Sequence, residues 1–97
     1  MIKEAVEEEV AERIAELLKK TEGEHKRAFR EEGGRDPDWP LWYAERLVKP
    51  LGKLLGAGFT RSELVYLLVT ADKERELMAP GSDRTAYLVR FFIERYL

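Results

Sequence analysis

The apolar and small residues of the first third of the chain recur at helical spacing. Ile2, Val6, Val10, Ile14, Leu17, Thr21, His25 and Ala28 lie three or four apart, with Ala5, Ala11, Leu18 and Phe29 alongside, and this lays one stripe along a helix over about 2–32. Such a helix would be roughly 45 Å long, so it either projects or breaks at Gly23, with Gly33 as its stop. A second stripe, Ala44, Leu47, Val48, Leu51, Leu54 and Leu55, keeps one phase across Pro50 and predicts a single kinked helix over about 39–56. Asp38 is its expected cap, with Pro40 in its first turn and Gly56 and Gly58 closing it.

Thr60-Arg61-Ser62-Glu63 has the form of a capping box, with Phe59 before it and Leu64 after it placed as a hydrophobic staple. The helix it opens, about 61–76, carries Leu64 to Val69 as an unbroken apolar run, more than one face can use, which suggests the central element. Six such residues would also suit a strand, but the capping box and the helix-forming Ala71 to Leu77 favour helix. Pro80-Gly81 breaks the chain, Ser82 offers a cap, and Ala86 to Leu97 fill a last helix over about 83–96. No useful length alternates with period two. The expected fold is therefore all-α, a small bundle of four helices forming one domain over 1–97.

Composition narrows the chemistry. With no cysteine and a single histidine, disulfides and thiolate metal sites are excluded, and neither a metal nor another cofactor is expected. Lys and Arg number 17 against 19 Asp and Glu, so the overall field does not favour a polyanion, and nucleic acid is not an expected partner. A helix-turn-helix reading of 61–76 fares no better, because that helix offers mainly Arg61, Ser62 and aliphatic residues to a groove. No run of apolar residues is long enough for a membrane span, and the acidic start is unlike a signal peptide, so the expected location is cytoplasmic. Asparagine and glutamine are both absent while Glu, Arg and Lys abound, the pattern of a thermophile protein rich in ion pairs.

Candidate chemistry gathers in one tract, Gly33-Gly34-Arg35-Asp36-Pro37-Asp38-Trp39-Pro40-Leu41-Trp42-Tyr43-Ala44. It resembles the motif of a small helical bacterial family of uncharacterised function, in which a helix bearing a histidine leads into a Gly-Gly turn and an Asp-Trp-Pro-x-Trp-Tyr-Ala helix start. The match covers about 21–48, and His25 stands where the family's histidine would. The resemblance implies a bacterial source and brings no activity with it.

On a helical wheel at about 100° per residue, Trp42 falls almost opposite the core stripe, with Trp39, Arg46, Lys49 and Lys53 on the same outer side. Either the end of helix one or a second subunit covers that face, or Trp39, Trp42, Tyr43 and Arg46 form a platform for an anionic or aromatic ligand. If helices one and two pack antiparallel, His25 lies near Asp36 and Asp38, either ordering the turn or serving as an acid/base or half of a metal site. P-loop, nucleophile-elbow and His-Glu-x-x-His patterns are missing. The leading expectation is a non-enzymatic interaction module that forms a homodimer through the projecting helix one, the Phe91-Phe92-Ile93 and Tyr96-Leu97 surface, or both, ahead of ligand binding at the tryptophans and of catalysis at His25.

Overall fold

The computed structural model describes residues 2–33 and 35–97, the side chains of residues 2 and 3 excepted. The predicted stripe's first member, Ile2, and the second glycine of the turn, Gly34, therefore fall outside the described side chains and residues. Four helices form: α1 (Ile2–Ala28), α2 (Trp39–Leu55), α3 (Arg61–Met78) and α4 (Arg84–Tyr96), with a short 3-10 turn at Arg30–Glu32 after α1. This is the expected all-α bundle.

Helix α1 runs unbroken through Gly23, and at about 1.5 Å per residue its length accounts for most of the molecule's 46 Å long axis. It tightens into the 3-10 turn before Gly33, whose positive φ of 67° closes the segment as anticipated. Its buried face is Ile14, Leu18, Thr21 and His25, the middle of the stripe read from the sequence with Leu18 in place of the half-buried Leu17, while Ala28 at the end of that stripe is exposed. Thr21 spends its hydroxyl on the Leu17 carbonyl at 2.8 Å, which lets a polar residue sit on the inner face. Toward the start of α1 the cover thins, and Val6 is 50% exposed.

Helix α2 passes through Pro50, which is exposed and off the buried face of Tyr43, Ala44, Leu47, Leu51 and Leu55. Its end folds back tightly, with the Gly56 and Ala57 N–H groups both donating to the Gly52 carbonyl. A Cβ on Gly52 would stand 2.6 Å from the Ala57 carbonyl oxygen, so the close return requires glycine there.

Both hydrogen bonds of the capping box are present at α3: the Thr60 hydroxyl accepts from Glu63 N at 3.1 Å, and the Glu63 carboxylate accepts from Thr60 N at 3.3 Å. Thr60→Ala is expected to cost about 1 kcal/mol in urea unfolding, and a change within error would mean that the cap does not hold the helix start. The apolar run of α3 is used differently from the expectation of a central helix. Leu64, Leu67, Leu68 and Ala71 form one buried face, while Tyr66 is 70% exposed. It is α2 and α4 that pack against all three other helices.

Helix α4 is capped by Asp83, whose carboxylate accepts from Ala86 N at 2.9 Å, rather than by Ser82. Leu88, Phe91 and Phe92 are buried within the single chain, and Tyr96 packs edge-on against Phe59 at 5.1 Å. The aromatic surface of α4, expected to need a second subunit, is thus largely consumed by the chain's own core, Phe59 included.

Candidate functional site

The site is assembled where the end of α1 lies antiparallel to the start of α2. His25, on the last buried turn of α1, and Asp36, in the turn before α2, meet with Nε2 and Oδ2 3.1 Å apart. Both side chains are nearly buried, at 9% and 8% exposure. A carboxylate only accepts, so Nε2 carries the hydrogen and donates. The other oxygen of Asp36 accepts from Asp38 N at 3.0 Å. Asp38 itself makes no side-chain cap at α2, contrary to expectation: its backbone, at φ −99° and ψ 24°, is not in the extended conformation from which a capping side chain reaches back to the helix.

Aromatic rings hold the imidazole on three sides: Phe29 at 4.7 Å, Trp42 edge-on at 5.0 Å and Tyr43 at 5.3 Å between centroids. The end of α1 therefore covers the second face of α2, and both tryptophans are half-buried within one chain. The four residues expected to make one platform divide between two sides of this cluster. Trp42 stacks outward under the Arg46 guanidinium at 3.5 Å, while Trp39 and Tyr43, perpendicular at 5.5 Å, face a cleft.

That cleft measures about 450 Å³, and His25, Asp36, Trp39 and Tyr43 line it together with Glu22, Lys26, Arg30, Gly33 and Arg84. Arg84, in the first turn of α4, lays its guanidinium over the Trp39 ring at 3.8 Å. Its counter-charge is shared, because Asp72 Oδ1 stands 3.5 Å from Arg84 and 3.4 Å from Arg75. One carboxylate thus serves two guanidinium groups, leaving a positive excess beside the cleft. Lys26 is partnered by Glu22 at 3.1 Å, whereas no ion pair of Arg30 occurs among the described residues. Three cations face the space against two carboxylates, one of which is committed to His25. Among the described residues its lining includes no serine, threonine or cysteine, and no group of three His, Asp or Glu able to hold a metal occurs anywhere.

Tyr43 is buried where it lines the cleft. Burial pushes its phenol above the ordinary value of 10.0, an effect that Arg84 partly offsets and Glu22 reinforces. Because the folded state holds this proton more tightly than the unfolded chain, the contribution is present below pH 10.0 and is lost as pH rises through the higher folded value. Tyr43→Phe is therefore expected to flatten the fall of stability above that pH. Urea unfolding across the alkaline range checks this, and an unchanged slope would place the phenol in water.

The site residues named from sequence thus come together around His25, Trp42 included, except for Asp38, which stays exposed in the turn, and Arg46, which lies on the outer side of Trp42. Arg84 was not foreseen, since nothing local in its helix start distinguishes it from a solvated arginine. No helix among the described residues is long and apolar enough to cross a membrane. Compared with family models, curated proteins and solved structures, the chain matches none.

Proposed function

We propose that this chain is a binding domain for a small planar anion, an aromatic carboxylate or phosphate, held in the cleft between α1, α2 and α4. The supporting observation is the Arg84 guanidinium stacked on Trp39 beside a space of about 450 Å³. That volume lies in the range of ordinary ligand pockets, where apolar walls bury the ligand and a few polar groups orient it. A ring slides against Trp39 and Tyr43, while its anionic group meets Arg84 and Arg30. The His25–Asp36 pair fixes the turn that forms one wall. Binding is favoured over nucleophilic catalysis because the lining offers no hydroxyl or thiol nucleophile beyond the Tyr43 phenol.

Phenyl phosphate and neutral benzyl alcohol make the test, followed by amide NMR and tryptophan fluorescence. Phenyl phosphate is expected to bind with a Kd below about 1 mM, to shift Trp39 and its neighbours, and to lose about tenfold in affinity on Arg84→Ala. Equal binding of the two compounds, or none by phenyl phosphate and benzoate alike at millimolar concentration, would remove this reading.

A further inference from the structure

A groove of about 690 Å³ runs between the first half of α1 and α4, at the end of the molecule away from the His25 cleft. Its floor is apolar and small, with Ala11 and Ala15 facing Val89 and Ile93, all partly accessible. One wall is acidic: Glu4, Glu8 and Glu12 follow one another at four-residue intervals, and Glu94 stands on the α4 side. Arg90 is the single cation of the lining among the described residues.

Two features are not explained by the fold itself. Like charges four apart on a helix repel, by roughly 0.2–0.5 kcal/mol per pair, and only Glu4 is close enough to the helix start to gain from the dipole. No ion pair of Glu4, Glu8, Glu12 or Glu94 occurs among the described residues. Meanwhile alanines on the floor admit a helix backbone at close range, and the stretch from Glu4 to Ala15 spans about three helical turns.

We infer that the groove receives a cationic amphipathic helix of another protein, one with an apolar stripe at i, i+3, i+4 and i+7 and Lys or Arg on both flanks. The stripe fills the alanine-lined floor, and the flanking cations neutralise the glutamate row that repels itself in the free chain. A second copy of this chain fits less well, because a two-fold axis along the groove sets the same glutamates against one another.

The test uses the full chain and synthetic helices of about 18 residues: a Leu/Lys amphipathic peptide, its Leu/Glu counterpart, and a Leu/Lys peptide of the same composition with the stripe scrambled. The amphipathic Leu/Lys peptide is expected to bind with a Kd on the order of micromolar and to shift amides of 4–15 and 86–94, while the Leu/Glu peptide does not bind. The double variant Glu8→Lys, Glu12→Lys should weaken it at least about tenfold. Glu31→Lys with Glu32→Lys, the same charge change in the 3-10 turn beyond the far end of α1, should leave it unaltered. Equal weakening by the two double variants, or equal affinity of the scrambled peptide, would show attraction by net charge alone and overturn the proposal. Concentration-dependent mass of the chain by light scattering, abolished by Glu8→Lys, would also overturn it and assign the groove to a second copy.

Discussion

His25→Ala is expected to destabilise the protein by about 3 kcal/mol, at the upper end of the range for leaving a buried hydrogen-bonding group without its partner. Without the imidazole, the Asp36 carboxylate, 8% exposed, keeps the Asp38 N–H as its one partner among the described residues. The loss also opens a void among Phe29, Trp42 and Tyr43. Urea unfolding measures it, and pairing the substitution with Asp36→Ala in a double-mutant cycle isolates the contact, since removing both partners should cost less than the sum. Strict additivity would mean that histidine and carboxylate do not support each other.

Phe92→Ala is expected to cost more, about 4 kcal/mol. The ring is fully enclosed, edge-on to Phe91 at 5.4 Å and close to Phe59 and Tyr96 at 6.3 and 6.4 Å. It therefore joins α4 to the loop that precedes α3, and its removal opens a void among three aromatic rings. Tyr66→Ala, at a site 70% exposed, should stay within about 0.5 kcal/mol. Comparable losses at the two positions would place the core elsewhere.

Periodicity carried the helices because spacing by three and four is a local property, and so the α1 stripe, the phase of α2 and the capping box at Thr60 were all legible. Caps one residue apart were not. Ser82 and Asp83 are both good N-caps, and the choice falls to the one whose backbone is extended as α4 begins, Asp83 at ψ 123°. The proximity of His25 to Asp36 followed from antiparallel packing of two long helices. The cover over Trp42 by the end of helix one was one of several alternatives in the sequence, since a wheel shows which side a residue faces and not whether a neighbouring helix is long enough to reach it. Arg84 is harder still: it lies far along the chain from Trp39, and only the docking of α4 brings the two together.

That placement of Arg84 bears on how the cleft opens. Residues from α1 and α2 supply its walls, but the guanidinium over Trp39 arrives with the first turn of α4. Partial openings that release α4 alone would dissolve the cleft while leaving His25 and Asp36 joined. A ligand held there consequently acts as a clasp on the last helix, and its occupancy would appear as slowed amide exchange in residues 84–96, remote in sequence from most of the walls it touches.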